Sequence, residues 1–471
     1  MEAKGGFAPD VYSFTAAISA CEKGGQWERA TTLLEDMGKR GVAPNVVTFN
    51  AFISACAKGG QWERALSTFE EMAAYGIEAN VVTFNSAISA CAAGGQWERA
   101  MSLLVLARSA GVSPDVITFN AAIHACAKAA EWERAVSLLV AMRSSGVAPD
   151  VVSFNGAISA CAKAAEYTRA LSLLSEMRTS GVQPDTVTFN AAIHACAKAA
   201  EWRRAISLLE MMASAQVPPD IFSYNSAISA CDRAGKWREA LQILDRMRGR
   251  TDSRDSRDRR DVEHTDGQRL CAEDSRAASA AAASGAASGV PTGVPSGVPS
   301  GAASAAVPPQ PNVVSYSAAI SACAKAGASE QALRLLRSMS DEGVRPNTIT
   351  VNAAMAACAR GRKSREAFAL LAQMPQMGLA PDTITYNTCL TVCERTGEWE
   401  AALSLLAEMR QAGIRPDDGT FHAAIAACQK AGHWEAAGAI TAGRDAVQGD
   451  GRWPDLLSFN AALAAAKGSR P

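Results

Sequence analysis

The chain has 471 residues, a formal net charge of −1 and 48% hydrophobic residues. That balance excludes a general electrostatic pull toward nucleic acid or membrane, and no apolar run reaches the roughly 18 residues that a membrane helix needs. At ~150 residues per domain the length predicts about three domains, unless the chain is a repeat array, which has no such limit.

The first segment, residues 1–10 (MEAKGGFAPD), has neither the apolar centre of a signal peptide nor the Arg/Ser-rich amphipathic character of a transit peptide. It matches GVAPN at 41–45 and reads as the tail of a preceding repeat. From residue 11 the chain repeats every 35 residues. The stretch TFNAAIHACAKAAEW stands at 118–132 and again, unchanged, at 188–202, with related copies from Ser13, Thr48, Thr83, Ser153 and Ser223. Residues 11–247 therefore hold repeats one to seven.

Residues 248–310 interrupt the seventh repeat at the end of its second helix. A stretch of alternating charge, RGRTDSRDSRDRRD, leads into a Ser/Gly/Pro/Ala-rich run without aromatics, a composition that cannot build a core. This reads as a disordered insert that either loops out or splits the array into two arms, and Pro311-Asn312, which resumes the pattern in phase, favours looping out. Copies then start at Ser315, Thr350, Thr385 and Thr420, so 311–455 holds the end of repeat seven and repeats eight to eleven. Residues 456–471 form a partial repeat, and both ends read as cuts through a longer array.

One repeat, 46–80, shows what each unit builds. Phe49, Phe52, Ile53 and Cys56 fall on one helical stripe, and Gly59-Gly60 ends that helix. A second helix begins near Gln61, carries Trp62, Ala65, Leu66, Phe69 and Met72 on one face, and closes at Gly76. Neither helix buries its stripe alone, so the hairpins must stack: the expected fold is an all-α, right-handed α-solenoid superhelix of eleven 35-residue helical hairpins plus a partial one. An alanine recurs in every second helix (Ala30, Ala65, Ala100 and on to Ala437) where helices approach closely, with Trp three residues earlier in most copies as a packing residue. Eleven of the 13 cysteines recur with the repeat, from Cys21 to Cys428. No CxxC completes a metal set, so they read as small buried hydrophobes that keep their thiols free. His124 and His194 occupy a column that elsewhere holds serine, and read as surface or interface residues.

Three columns are not explained by packing. The fifth place of the first helix is Asn50, Asn85, Asn120, Asn155, Asn190, Asn225, Asn352 and Asn387, replaced by Thr15, Ser317 and His422 elsewhere. Each repeat ends in Asn45, Asn80, Asp115, Asp150, Asp185, Asp220, Asn312, Asn347, Asp382, Asp417 or Asp455, which suits an N-cap for the next helix. The first helix finishes on a cation: Lys23, Lys58, Lys128, Lys163, Lys198, Arg233, Lys325, Arg360, Arg395 and Lys430, with Ala93 alone breaking the row. Such cations suit the helix dipole, and ten in line also make a basic stripe fit for a phosphate backbone.

The pattern VVTFN…ISACAKGG…ERAL…M…GVAPD resembles the pentatricopeptide repeat, over residues 9–247 and 311 to about 467. The resemblance implies sequence-specific binding of single-stranded RNA, one base per repeat. It assigns the base-reading role to the fifth and last residues of each repeat. It assigns base packing to the second place: Tyr12, Val47, Val82, Ile117, Val152, Val187, Phe222, Val314, Ile349 and Ile384. By the family's code, Asn with Asp implies U, Asn with Asn implies C or U, and Thr or Ser with Asn implies A. The implied site is 5′-A-C/U-UUUU-C/U-A-UU-3′. His422 with Asp455 has no assignment, and Gly419 removes the packing side chain there.

The sequence holds no P-loop and no zinc-deaminase signature, so an enzyme is not expected, nor a cofactor or a metal. The resemblance implies a plain repeat protein that stabilises, processes or exposes an RNA in a chloroplast or mitochondrion. A protein-binding scaffold and the targeting arm of a longer RNA-processing enzyme are the alternatives.

Overall fold

The computed structural model describes residues 9–249 and 309–441. Within them the chain is all-helical, a right-handed solenoid of consecutive helical hairpins. Their helices are α1 (Val11–Lys23), α2 (Trp27–Lys39), α3 (Val46–Lys58), α4 (Trp62–Ala74), α5 (Val81–Ala93), α6 (Trp97–Ser109), α7 (Val116–Ala129) and α8 (Trp132–Ser144). Next come α9 (Val151–Ala164), α10 (Tyr167–Thr179), α11 (Thr186–Lys198), α12 (Trp202–Ser214), α13 (Ile221–Arg233) and α14 (Trp237–Met247). After the insert follow α15 (Val313–Ala326), α16 (Ser329–Asp341), α17 (Thr348–Arg360), α18 (Ser364–Gln373), α19 (Thr383–Thr396), α20 (Trp399–Gln411) and α21 (Asp418–Lys430). A further helical stretch begins at 434 and runs to 441. Residues 250–308 of the expected insert at 248–310, the partial repeat at 456–471 and Asp455 lie outside the described residues.

Each first helix starts at an Asp or Asn cap. Asn45 Oδ1 accepts the Thr48 backbone N–H at 2.9 Å, while Thr48 Oγ1 takes the Asn45 N–H in return. This reciprocal cap satisfies two donors that an open helix end leaves orphaned. The helix stops where Gly60 turns left-handed at φ +72°, so that Gln61 N–H reaches Cys56 O at 2.9 Å. In the ninth repeat Pro375 ends α18 early, and a 3-10 turn at Pro375–Met377 completes the hairpin.

Packing explains why the period holds. Ile53, Cys56 and Ala65 are fully buried, as are most of their counterparts along the array, with Cys21 and Ile425 half-buried, and the alanine column lets two helices approach closely. The recurring thiols are free, and from Cys56 onward they are buried, which pushes those buried thiols up to about 11 or 12. First helices pack on the next first helix, whereas each second helix packs on its own and the following first helix; among the described residues second helices meet one another through side chains, such as Arg143 and Glu176, rather than backbone to backbone. The first helices thus make the tight inner layer, and the second helices splay on the outside of the curve.

The Trp column fills the gap between hairpins. A Cβ on Gly59 would lie 2.3 Å from Trp27 Cδ1, so glycine is what lets the indole lie against the helix end. Arg64 covers the other side of that ring at 5.8 Å. Among the described residues the tryptophans are accordingly half-buried to buried, except Trp434, which is 67% exposed.

Candidate nucleic-acid interface

The inner layer brings the fifth and last places of most repeats into contact. In eight repeats the fifth-place Asn donates its Nδ2 to the repeat-end residue, at 3.0–3.4 Å, from Asn50–Asn80 through Asn387–Asp417. The same repeat-end side chain caps the next helix, so capping and pairing are two bonds of one residue. Thr15 and Ser317 behave differently: each hydroxyl meets the next repeat's hydroxyl, Thr48 or Thr350, at 2.7 Å.

A third participant in the site was not singled out from the sequence. The third residue of each first helix is Thr or Ser, buried from Thr48 onward. Thr118, Ser153, Thr188, Ser223, Ser315, Thr385 and Thr420 each donate their hydroxyl to Oδ1 of the preceding repeat's Asn, at 2.5–2.8 Å. The chemistry fixes the amide. Asp115 offers only acceptors, so Asn85 must turn Nδ2 toward it, and Oδ1 then faces the Thr118 hydroxyl. That leaves each such amide one N–H and one lone pair for a ligand. In the second repeat Asn50 Oδ1 is buried without a partner.

Charge at the repeat ends is secure. Burial works against the Asp115 carboxylate, but the backbone N–H and hydroxyl of Thr118 and the Asn85 amide outweigh it and hold its pKa below the usual carboxylate value. Asp150, Asp185, Asp220, Asp382 and Asp417 are lowered by the same balance.

The second-place residues stand out from this network. Tyr12, Val47, Val82, Ile117, Val152, Val187, Phe222, Val314, Ile349 and Ile384 are 49–81% exposed, apolar side chains set beside a polar pair. Between the ninth and tenth repeats Ile384 lines a cavity of about 280 Å³, walled also by Asn387, Thr391, Arg360 and Arg395. The cation column borders the same groove. Lys128, Lys198 and Lys430 reach back to the last carbonyls of the preceding first helix, at Ala93, Lys163 and Arg395. Arg360 does so at Ala324 O, Lys325 joins Asp232, and Lys58 pairs with Glu22 at 2.9 Å. Lys128, Lys198, Lys430 and Arg360 thereby neutralise a neighbour's helix end.

Across the insert the site continues. Asn225 meets Asn312, Ser315 returns to Asn225, and α15 packs on α13 and α14. Arg248, just past α14, ties the two sides together: it donates to Tyr316 Oη at 2.6 Å and Ser338 Oγ at 2.8 Å, and pairs with Asp245 at 3.2 Å and Glu342 at 3.1 Å. Tyr316 also donates to Glu342. Among the described residues no three His, Cys, Asp or Glu side chains converge as metal ligands, and no helix is long and apolar enough to cross a membrane.

No curated protein matches the chain in sequence. Among solved structures it is similar to the pentatricopeptide repeat protein PPR10 in complex with an 18-nt psaJ RNA element, at 26% identity and a TM-score of 0.40, covering 97% of this chain; the chain spans 64% of that protein's length. PPR10 from maize gives 23% identity and a TM-score of 0.41, with 98% of this chain and 72% of that one covered. The PPR domain of Arabidopsis thaliana protein-only RNase P 1, solved with tRNA, gives 17% identity and a TM-score of 0.35, with 38% of this chain and 95% of that one covered. The sequence pattern of the PPR repeat family matches in overlapping pairs of repeats from 9 to 233 and from 311 to 430, and a single PPR repeat matches at 222–251. These matches cover more than half of the chain, which belongs to the pentatricopeptide repeat family.

Proposed function

We propose that this chain binds single-stranded RNA along its inner layer, one nucleotide per repeat, at the site 5′-A-C/U-UUUU-C/U-A-UU-3′, without catalysing a reaction on it. The observation that carries the reading is the repeated clasp of Asn, Asp or Asn, and buried hydroxyl, set between exposed apolar side chains. A base slides between two second-place residues, such as Ile117 and Val152, which need no hydrogen bond to hold a π-face. Each such contact contributes on the order of 1 kcal/mol, the low end for stacking. The amide's free N–H and lone pair then meet the base edge, and uracil offers one acceptor and one donor in return.

Lys23, Lys58, Lys128, Lys163, Lys198, Arg233, Lys325, Arg360, Arg395 and Lys430 take the phosphates in this reading. Replacing Lys128, Lys163 and Lys198 by Ala weakens all sequences alike. The log–log salt slope stays shallower than about −7, the value for ten full single-strand contacts. The role we attach is stabilising, processing or exposing a transcript in a chloroplast or mitochondrion, supported by the family's usual place of work. Fluorescence anisotropy with the labelled ten-mer tests the reading: nanomolar binding to it and none to its complement is expected. Equal binding to both sinks the base-reading claim, and no binding to either sinks RNA binding.

A further inference from the structure

Two places in the groove carry a histidine that the other repeats lack. The ninth residue of the first helix is serine in most repeats, as at Ser54 and Ser159, but is His124 in the fourth and His194 in the sixth. On α7, Asn120, His124 and Lys128 follow at four-residue steps and share one stripe; on α11, Asn190, His194 and Lys198 do the same. The ninth place belongs to the groove wall, for Ala356 and Thr391 hold it in the cavity shared with Ile384, Asn387, Arg360 and Arg395. In the sixth repeat the His194 ring lies 6.1 Å from the ring of Phe222, the second-place residue of the next repeat.

We propose that His124 and His194 are RNA-backbone contacts that engage a phosphodiester in the imidazolium form, so that binding takes up protons as pH falls below neutrality. The inference rests on the RNA reading above. It extends the groove's polar stripe to side chains that the repeat code leaves unused.

The surroundings set the sign. Burial first, then Lys128 and Lys163, hold His124 below the usual histidine pKa; burial, then Lys198 and Arg233, do so for His194. In the inner layer α7 packs against α5, which carries no charged residue, and against α9, whose one charge is Lys163. Likewise α11 packs against α9 and against α13, which brings Arg233 and Asp232, the latter paired with Lys325. The outer-layer partners contribute charges of both signs: Glu98, Arg99 and Arg108 on α6 and Glu133, Arg134 and Arg143 on α8 for His124. For His194 these are Arg169, Glu176 and Arg178 on α10 and Arg203, Arg204 and Glu210 on α12. Burial and the two nearby cations therefore disfavour the protonated ring in the free protein. A phosphate entering between those cations reverses the field and favours the protonated ring. A group whose pKa is raised on binding strengthens binding as pH falls toward that pKa. The repeat-end aspartates stay ionised in this window because their pKa values lie below the usual carboxylate value. Cys126 and Cys196, pushed up to about 11 and about 12, stay neutral.

The test measures anisotropy of the full chain with the ten-mer at constant ionic strength, between about pH 5.5 and 7.5, where an ordinary histidine titrates. The wild type is expected to tighten roughly threefold to tenfold per histidine toward the acid end. The double variant His124→Ser/His194→Ser installs a residue already present at that place, and its affinity should change little over the range. His124→Gln/His194→Gln keeps bulk without charge and must lose the slope too. A scrambled ten-mer should bind more weakly yet keep the same slope. A flat wild type, a slope that survives in both variants, or a slope confined to the cognate RNA overturns the phosphodiester assignment. Absence of binding at every pH retires the RNA reading itself, and this inference with it.

Discussion

Two neighbouring junctions of the array do the same job with very different amounts of chain. At the sixth repeat, Asn190 and Asp220 are 30 residues apart and meet at 3.1 Å. At the seventh, Asn225 and Asn312 are 87 residues apart and meet at 3.4 Å. In both, the next repeat's serine returns its hydroxyl to the Asn at 2.5 Å. Register is therefore set by what each hairpin touches next, as expected where stability is a sum of units and nearest-neighbour interfaces. What differs is the fastening. The ordinary junction relies on apolar packing, whereas the long one adds Arg248, whose side chain is 9% exposed between Asp245, Tyr316, Ser338 and Glu342.

The largest expected effect breaks that fastening. Arg248→Ala leaves Glu342, 34% exposed, and the Tyr316 hydroxyl without their cation. Removing one partner of a buried pair costs about 3–5 kcal/mol, and the exposure of Glu342 brings the expectation to about 2–4 kcal/mol. Urea unfolding should then separate into two transitions. Arg246→Ala, from a pair with both side chains about half exposed at 3.6 Å, is the control and should cost less than about 1 kcal/mol. Equal midpoints for the two variants would show that Arg248 fastens nothing.

Next in size is the reading pair of an ordinary junction. Asn120 donates to Asp150 at 3.1 Å and accepts from Ser153 at 2.6 Å. Asn120→Thr replaces the amide by a hydroxyl beside the same Asp, a pair that prefers G by the family's code. Affinity for the UUUU site should fall by roughly 1–3 kcal/mol, the usual cost of one wrong base, and G at the fourth position should restore most of it. Both RNAs measured against both proteins form a double-mutant cycle, and a coupling energy near zero would retire base reading at this repeat.

The hydroxyls give a direct comparison of the two junctions. Ser153→Ala within the regular array and Ser315→Ala across the insert each remove a capping-box partner and the donor to a preceding Asn. Each should cost about 1 kcal/mol in stability and loosen the preference for one base at the preceding repeat, since the amide of Asn120 or Asn225 then keeps only its bond to the repeat-end residue. A loss at Ser153 with none at Ser315, read by thermal melting and by anisotropy, would show that the long junction only imitates the short one.

Much of this was legible in the sequence, because repetition makes local signals unambiguous. The stripe from Phe49 to Cys56 and the Gly59-Gly60 stop lie within or beside α3 as expected, and the Trp62 start and Gly76 close of the second helix hold as well. The fifth-place and last-place columns stood out because packing did not account for them. The hydroxyl column did not, since Thr118 already has a local role in its own capping box. Its second bond runs to Asn85, 33 residues back, and periodicity does not say which neighbour a side chain faces. The cations hide in the same way: Lys128 reads as a dipole or phosphate residue, yet its bond is to Ala93 O in the preceding repeat. Arg248 was lost among the charges of RGRTDSRDSRDRRD because its partners lie as far off as Glu342.

The smallest expected effect removes the difference in chain length altogether. Deleting residues 252–308 leaves 35 residues from Ile221 to Asn312, the spacing of an ordinary repeat, and keeps Arg248. If closure entropy is the only term that the long connection contributes, shortening it by between three and four doublings stabilises the junction by about 2 kcal/mol, at ~0.6 kcal/mol per doubling. Two local costs oppose this. Pro309 would take the place where Val42 gives its N–H to Met37 O at 3.1 Å, a bond of roughly 1 kcal/mol. Thr251 would take the left-handed place of Gly41, φ +69°, at a further cost of about 1 kcal/mol; Gln216 already occupies the equivalent place at φ +58°. The terms nearly cancel, so melting temperature and affinity for the ten-mer should stay close to those of the full chain. A large loss of helical circular dichroism would mean that the deleted residues hold the junction together. A fall in RNA affinity with the helices intact would place them against the RNA instead.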